Sequence, residues 1–419
     1  MRALYPLCLV AMLLVSTTAR AQSNLVILLS PPSDYLGSGQ TYYTTNQPGI
    51  SGTMATVTLG AFGFAMYFDA PGESNLAVQR YTNAGAYSVD GTMPVLRISG
   101  NGRGCLGTAC SDFEIKEIQA GGTGQVDHFW ATFSHKCHCG GEAPLIGEIR
   151  YNSLLAPPIP ASRTLRVPTE FPTIQSALDS MDMLAVDTVV VDPGVYVESV
   201  QFGGKRGRLV SAEGPSATSI TSRTGSVAVS FAGATPDAVL SGFTLKNSST
   251  AIYISHGGSP TIVSNIIVNC GDGIVCNSGR SDLIGSPIIR GNAIIECSGG
   301  AIGLAFTGTP WVEGNLIENN AGGIGMSSAG AAVIQNNIIR RNRGDGIGMG
   351  NYSDPDIVQN LIIENAGNGI SWGVPGGARG PWVINNTIVG NGGAGISADG
   401  VDGAAVVGGA TVDVLVVVG

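Results

Sequence analysis

The residues of this chain best suited to chemistry are two tryptophans and an aspartate in its second half. Trp311, Asp356 and Trp382 share one position of a short repeat, one residue before an apolar position, where strand alternation points side chains outward. The predicted loops beside them carry further polar groups: Tyr352, Asp354 and Arg379. Exposed aromatic rings with a few polar groups suit a saccharide chain, whereas the alternative is that each tryptophan packs under a neighbouring loop.

A second group of charged residues lies at residues 340–345. Its arginines could act as a catalytic base, and its aspartate could be one of several carboxylates that bind a cation. The repeat argues against a catalytic role, because Glu318 falls in the column of Arg340 and Glu364 in the column of Arg341. Opposite charges on adjacent strands form cross-strand pairs worth about 0.2–1 kcal/mol each. We therefore expect structural ion pairs here instead of a catalytic group.

The elements that position these residues are the short strands of a solenoid. Asparagines recur at intervals of 27, 23, 22, 23 and 26 residues, at Asn265, Asn292, Asn315, Asn337, Asn360 and Asn386. Each has isoleucine two residues later, isoleucine or valine three residues earlier, and another isoleucine nine or ten residues later. Three short β-branched segments per coil predict three parallel sheets when the coils stack.

The recurrent asparagine marks a bend, where we expect left-handed backbone at the asparagine and an amide bonded to the next coil. Cys270 and Cys297 each stand five residues after their asparagine, on adjacent coils. Stacked residues lie about 4.8 Å apart, within the roughly 4.4–6.8 Å between α-carbons that a disulfide accepts. The register predicts a Cys270–Cys297 disulfide, with Cys276 left as a free thiol in a buried column.

Residues 163–400 resemble the right-handed parallel β-helix superfamily typified by pectate lyases, polygalacturonases and pectin methylesterases. The resemblance includes a leading segment in which Ile174, Ala177 and Leu178 have the spacing of a helix that would plug the first coil. It implies action on polysaccharides. A motif of the methylesterases, ending at Glu198, is present, but the catalytic acids of that family and of the polygalacturonases have no counterpart. Glu198 is therefore expected to be structural.

Residues 22–155 form a different module. Alternating runs such as residues 56–68 and 128–133 predict a small antiparallel β-sandwich. The module resembles an uncharacterised β-rich module of secreted bacterial proteins, which implies no activity. A proline-rich linker, residues 156–162, leads to the β-helix, and an atypical Ala/Val/Gly tail occupies residues 401–419.

The sandwich contains possible zinc ligands: His128, His135, Cys137, His138 and Cys139. Imidazole and thiolate are the preferred ligands of Zn²⁺. In an exported chain, disulfides of these cysteines with Cys105 and Cys110 are the favoured use. We predict no metal site here.

Export is indicated by residues 1–21, which carry Arg2, an apolar run and a small-x-small cleavage pattern ending at Ala21. No later stretch is long and apolar enough to span a bilayer. After cleavage, 19 of the 21 basic residues remain against 30 acidic ones, a net charge of −11 without a basic block. This balance argues against nucleic acid and anionic membranes as partners.

Together these patterns predict an all-β, secreted protein, extracellular or at the cell surface, that interacts with an extracellular polysaccharide or surface glycan. If the chain is an enzyme, we expect a polysaccharide lyase or a glycoside hydrolase, with Asp354, Asp356 and Arg379 as the catalytic candidates. No cofactor is expected, except Ca²⁺ for a lyase. The alternative is a non-catalytic structural or adhesive protein that uses the β-helix as a rigid spacer.

Overall fold

The structure is a computed structural model. It describes residues 23–31, 34–100, 102–105, 110–137, 144–223, 225–279, 284–350, 353–373, 380–399, 406–409, 411–412 and 415–418. The predicted export signal, residues 1–21, lies outside the described residues, as does part of the predicted tail. The described chain forms an antiparallel β-sandwich followed by a parallel β-helix, so the predicted all-β class is confirmed.

The first module consists of two antiparallel sheets. One contains, in spatial order, strands Thr41–Thr44, Ser23–Leu29, Leu145–Ser153, Val126–Lys136, Cys110–Ala120 and Gln79–Ala84. The other contains Gly49–Gly52, Thr56–Ala61, Phe64–Asp69, Val95–Gly100 and Arg103–Gly104. Phe68 of the second sheet packs against Phe113, Phe129 and Phe133 of the first, with ring centroids 5.4, 5.5 and 6.2 Å away. This aromatic cluster joins the two sheets across the core of the module.

The second module has three parallel sheets, which we call sheets 1, 2 and 3. Sheet 1 contains Thr164–Val167, Asp187–Val191, Gly207–Ser211, Val239–Ser241, Thr261–Val263, Ile288–Arg290, Trp311–Glu313, Val333–Gln335, Asp356–Val358, Trp382–Ile384 and Val406–Gly408. Sheet 2 contains Gly194–Val197, Thr218–Thr221, Thr244–Lys246, Ile266–Val268, Ala293–Ile295, Leu316–Glu318, Ile338–Arg340, Leu361–Ile363, Thr387–Val389 and Thr411–Val412. Sheet 3 contains Val200–Gln201, Val227–Ala232, Thr250–Ser255, Asp272–Asn277, Gly300–Ala305, Gly322–Ser327, Ile347–Met349, Ile370–Trp372, Ile396–Asp399 and Leu415–Val418.

Columns of isoleucine fill the space between the three sheets. Ile317, Ile339 and Ile362 are paired in register on successive coils of sheet 2, and each is 0% exposed. Burial of one such side chain contributes about 1.5–3 kcal/mol to folding. The coil register predicted from the repeat is confirmed.

Two columns of inward polar side chains hold the bends of the coils. In the first, the Nδ2 of each asparagine except the last donates to the Oδ1 of the asparagine on the next coil, over 2.9–3.1 Å. This column contains the six recurrent asparagines: Asn265, Asn292, Asn315, Asn337, Asn360 and Asn386. The second column, five residues later, contains Cys270, Cys297, Asn320, Asn342, Asn365 and Asn391.

The left-handed backbone lies one residue before each asparagine of the first column, so its expected place at the asparagine itself is wrong. Ser264, Asn336 and Asn385 have φ values of 57°, 56° and 56°, and Gly291 and Gly314 stand at the same position. The asparagine keeps its amide directed along the column, and the residue before it makes the turn. Glycine or a short polar residue adopts this conformation at least cost.

The predicted plug of the first coil is a short helix, Ile174–Asp179, in which Ile174, Ala177 and Leu178 are buried. A carboxylate from the first coil binds the N-terminus of this helix. The carboxylate of Glu198 accepts hydrogen bonds from the backbone N–H groups of Ile174, at 3.0 Å, and Gln175, at 3.1 Å. Negative charge at a helix N-terminus is stabilising, and the expected structural role of Glu198 is confirmed.

The sandwich and the β-helix are in direct contact. The N–H of Thr41 donates to the carbonyl of Gly233 at 3.1 Å, and the Arg206 guanidinium lies 3.2 Å from the ring centroid of Tyr43. Gly233 has φ +61°, and a Cβ there would lie 1.7 Å from the carbonyl oxygen of Gly39. Only glycine allows this approach. The sandwich is therefore packed on the first coils, which the linker composition did not predict.

Candidate functional site

The two tryptophans and the aspartate are aligned on the outward face of sheet 1. Trp311 pairs with Val333, Val333 with Asp356, and Asp356 with Trp382, on successive coils. Trp311 is 41% exposed and Trp382 is 38% exposed. These exposures favour a solvent-facing pair of rings over tryptophans packed under loops. Trp372, by contrast, is buried in the core.

A polar column lies beside the tryptophans, two residues further along each strand. Glu313 Oε2 accepts a hydrogen bond from Trp311 Nε1 at 3.2 Å, and its Oε1 accepts one from Gln335 Nε2 at 2.9 Å. Arg290 Nη1 is 3.9 Å from Glu313 Oε2. This column was not predicted from the sequence, although alternation places Glu313 on the same face as Trp311. The column fixes the indole edge of Trp311 and offers polar groups next to its ring.

Of the three loop residues predicted beside this face, the structure describes one, Asp354. Asp354 is partly buried, and its Oδ1 accepts a hydrogen bond from the backbone N–H of Gly380 at 2.7 Å. This bond connects the two chain segments that lead into neighbouring strands of sheet 1. Tyr352 and Arg379 lie outside the described residues.

The charged group at residues 340–345 is used structurally, as predicted. Glu318 contacts Arg340 at 2.9 Å and Arg341 at 3.2 Å, and Arg341 also contacts Glu364 at 2.9 Å. The hydrogen bond from Arg340 lowers the pKa of Glu318. Asp345 accepts hydrogen bonds from Asn368 N at 2.6 Å and Ser371 Oγ at 2.5 Å. These charges stabilise the stacking of coils.

Comparison with known families agrees with this architecture. Residues 250–411 match the family described as "Right handed beta helix region". The second module is a right-handed parallel β-helix. No curated protein is significantly similar to the chain.

Several solved structures are distantly similar to the chain. Pectate lyase Pel9A is 14% identical over 61% of this chain and 80% of its own, with a TM-score of 0.44. The A-module of the mannuronan C-5 epimerase AlgE6 of Azotobacter vinelandii is 15% identical over 58% of this chain and 92% of its own, with a TM-score of 0.32. The catalytic domain of a GH87 alpha-1,3-glucanase in complex with tetrasaccharides is 9% identical over 96% of this chain and 87% of its own, with a TM-score of 0.38. At these scores, none of them assigns an activity to this chain.

The predicted disulfide of the right-handed β-helix is wrong: Cys270 and Cys297 are free, buried thiols. Their register is as expected, since Cys297 N donates to Asn320 Oδ1 at 2.9 Å, in the second polar column. Side chains stacked on adjacent coils run parallel, so their Cβ atoms stay about 4.8 Å apart. A disulfide needs Cβ atoms about 3.5–4.5 Å apart.

The third cysteine of the β-helix, Cys276, is also a free, buried thiol, as predicted. Burial raises the pKa of Cys276 and of Cys297 to about 12. Both side chains are therefore protonated near neutral pH and are poor nucleophiles.

The sandwich contains a disulfide between Cys105 and Cys137, which agrees with the favoured use of these cysteines. Cys110 is disulfide-bonded as well. Of the considered zinc ligands, His138 and Cys139 lie outside the described residues, and His128 binds the carbonyl of Asn152 at 2.5 Å. His135 is completely buried beside the Cys105–Cys137 disulfide, and burial lowers its pKa to about 4.

Two cavities are formed by described residues of the sandwich and the first coils. A cleft of about 590 Å³ opens between the sandwich and the first coils, and its lining includes Leu29, Ile146, Met183, Gln201 and Lys205. Lys205 is held by Asp179 at 2.8 Å. A second hollow of about 560 Å³ lies on the sandwich, between Tyr67, Tyr87 and Arg97. Within the described residues, none of the helical structure reaches the length and apolarity needed to cross a bilayer.

Proposed function

We propose that this protein binds an extracellular polysaccharide or surface glycan on the outward face of sheet 1. One observation carries the proposal: Trp311 and Trp382 are both substantially exposed, in register, on the same face of one rigid sheet. Large exposed indoles are costly to leave in water. Their flat faces match the apolar faces of sugar rings.

The spacing of the two rings favours a chain of sugars. Three strand steps place the backbones of Trp311 and Trp382 roughly 14 Å apart. One sugar ring cannot stack on both indoles at that separation. A glycan of several units, lying along the axis of the β-helix, can contact both rings and the polar groups of Glu313, Gln335 and Asp356 between and beside them.

The charges on this face favour a neutral glycan. Glu313 and Asp356 bring carboxylates next to the rings, and the chain without residues 1–21 has 19 basic and 30 acidic residues. An acidic polysaccharide would meet like charge unless a cation such as Ca²⁺ bridged the carboxylates. Binding of acidic glycans is therefore expected to depend on Ca²⁺, and binding of neutral glycans is not.

Export completes the proposal. The signal-like residues 1–21 and the disulfide-bonded sandwich suit an oxidising compartment outside the cytosol. Mass spectrometry of the protein recovered from culture medium should give a mature N-terminus at Gln22. Recovery of the full-length chain from the cytosol alone would contradict export.

A second candidate function is that of a non-catalytic rigid spacer. It is favoured by the use of Glu318, Arg340, Arg341 and Glu364 in ion pairs between coils. A lyase or hydrolase instead requires acidic or basic groups that reach the bond to be cleaved, and Asp356 and Asp354 are the described candidates for that role.

One experiment separates these functions. The protein is incubated with a panel of neutral and acidic polysaccharides, with and without Ca²⁺, while retention, unsaturated products and reducing ends are followed. Retention without new products indicates binding alone, unsaturated products indicate a lyase, and new saturated reducing ends indicate a hydrolase. If no glycan of the panel retains the protein, the proposal of glycan binding is contradicted and the rigid spacer becomes the favoured function.

A further inference from the structure

A buried histidine lies next to a disulfide in the sandwich, in a different module from the proposed glycan site. His135 is 0% exposed, and Cys105 and Cys137 are 5% exposed. The Nε2 of His135 lies 3.2 Å from the Sγ of Cys105. The two sulfurs and a ring nitrogen all lie within 4.8 Å of one another.

The sandwich strands determine this arrangement. His135 belongs to the strand Val126–Lys136, on the same inward face as Ala131 and Phe133, and Cys137 follows two residues later on that face. Ser111 is paired directly opposite His135, and its Oγ lies 2.6 Å from the ring Nδ1. The serine fixes the orientation of the imidazole and directs Nε2 towards the sulfurs.

A disulfide does not require this neighbour. Sulfur is a weak hydrogen-bond partner, and burying a polar ring costs free energy that a weak contact offsets poorly. An apolar residue at position 135 would pack against the disulfide at lower cost. The imidazole is instead arranged as metal-bound histidines are, with one nitrogen anchored by an outer partner and the other directed at the ligand position.

We propose that Cys105, His135 and Cys137 form a zinc site when their disulfide is reduced. A dithiol reductant supplies two electrons and two protons, so the S–S bond breaks, both cysteines become thiols and the reductant becomes a disulfide. Zn²⁺ then displaces both thiol protons and binds two thiolates and the Nε2 lone pair. A water molecule can take the fourth position.

The geometry and the charge both suit zinc. Zn–S bonds of about 2.3 Å and Zn–N bonds of about 2.0–2.1 Å in a tetrahedron place sulfur and nitrogen roughly 3.5 Å apart. The present Sγ–Nε2 distance of 3.2 Å is close to that value. Two thiolates and a neutral imidazole also cancel the charge of the ion, so the buried site carries no net charge. Soft thiolates favour Zn²⁺ over Mg²⁺ or Ca²⁺.

The consequence is a sandwich that stays cross-linked in either redox state. Oxidation links Cys105 to Cys137 directly, and reduction in the presence of zinc links them through the metal together with His135.

The test uses the full chain in which every cysteine except Cys105 and Cys137 is replaced by serine, so that no other thiol is present after reduction. This parent protein is reduced by a phosphine and titrated with Co²⁺ as a spectroscopic probe. We expect thiolate-to-cobalt charge-transfer absorption that saturates at one equivalent and is abolished by Zn²⁺. His135→Gln should weaken Co²⁺ binding by at least tenfold. His128→Gln, which changes a histidine outside the cluster, should leave the affinity unchanged.

A second variant covers the case in which His135→Gln does not fold. Ser111→Ala keeps all three ligands but frees the imidazole, and loss of such an outer partner typically weakens metal affinity by about 10–100-fold. The disulfide-bonded form of each variant serves as the check of folding. No cobalt–thiolate absorption in the reduced parent protein, or equal affinity in the parent, His135→Gln and Ser111→Ala, would overturn the proposal.

Discussion

At the scale of single residues, the asparagines of the first polar column have every polar atom of the side chain paired. Asn337 accepts hydrogen bonds from the N and Nδ2 of Asn315, both at 2.9 Å, and donates to Val312 O and Asn360 Oδ1, both at 3.0 Å. Its removal takes hydrogen-bond partners from buried groups on both neighbouring coils. The column therefore stabilises the stacking of coils as well as each bend.

Asn337→Ala should lower the free energy of unfolding of the β-helix by about 2–4 kcal/mol, since several buried bonds are lost and partners are left unpaired. Asn336→Gly is the matched control. Position 336 has a positive φ of 56°, and glycine stands at the equivalent positions 291 and 314. Denaturant unfolding followed by circular dichroism measures both variants. Equal stability of the two would contradict the role given to the column.

His135 makes the stability of the sandwich depend on pH. Burial lowers its pKa to about 4 in the folded chain, against about 6.5 when unfolded. Between these values the unfolded chain binds more protons, so the free energy of unfolding falls as the pH is lowered through this window. The full effect of His135 is about 3 kcal/mol.

His135→Gln should remove that part of the pH dependence. The measurement is denaturant unfolding of the oxidised protein and of the variant at pH 7 and pH 4.5. The difference in the free energy of unfolding between the two pH values should be smaller in the variant, because the variant lacks the contribution of His135. The acidic residues titrate alike in both proteins. An identical pH dependence would show that the imidazole is not buried in solution.

At the scale of elements, each coil of sheet 2 alternates one buried residue with outward neighbours. Ile339 is completely buried and Ile338, next to it on the same strand, is 40% exposed. The two positions differ only in the side of the sheet that they face. They therefore form a matched pair for testing the coil register.

Ile339→Asp should unfold the β-helix or lower its melting temperature strongly, because an unpaired carboxylate in the apolar column costs several kcal/mol unless it is protonated. Ile338→Asp should change the stability by much less. Thermal unfolding checks both. A melting temperature of Ile339→Asp within a few degrees of the wild type would contradict the assignment of the buried column.

The repeat made these elements predictable because one residue type recurs at each position that stacking makes equivalent. The isoleucine columns and the ion pair of Glu318 with Arg340 follow from that rule, whereas the plug helix follows from the helical spacing of Ile174, Ala177 and Leu178. The direction of side chains within a column does not follow from spacing. For this reason Cys270 and Cys297 were expected to be linked, although parallel side chains keep them apart, and the left-handed turn was placed one residue too late.

At the scale of the whole molecule, the sandwich contacts the first coils, and the tryptophan face lies several coils further along. Gly233 and Tyr43 take part in the contact between modules, while Trp311 and Trp382 lie on later strands of sheet 1. The proposed glycan site therefore belongs to the β-helix alone. The amino-acid composition predicted a linker between the modules. Composition carries no information on the close backbone approach at Gly233.

The candidate site was predicted in part. Alternation and register placed Trp311, Asp356 and Trp382 on one outward face, because a strand offers only two sides. Exposure of the two rings and the hydrogen bonds of Glu313 depend on which loops and side chains surround them, and this follows from three-dimensional packing. The polar column beside the tryptophans is therefore seen in the structure and was not predicted from the sequence.

The central claim is that the outward face of sheet 1 binds a glycan through its two tryptophans, and affinity measurements on three proteins test it most directly. A glycan retained by the wild type is titrated against Trp311→Ala/Trp382→Ala and against the control Ile338→Ala/Val389→Ala, which removes side chains of 40% and 39% exposure from sheet 2. With both variants folded, the tryptophan variant should lose at least about tenfold in affinity, or 1.4 kcal/mol, and the control should bind like the wild type. Unchanged affinity in the tryptophan variant, or an equal loss in both, would contradict the claim.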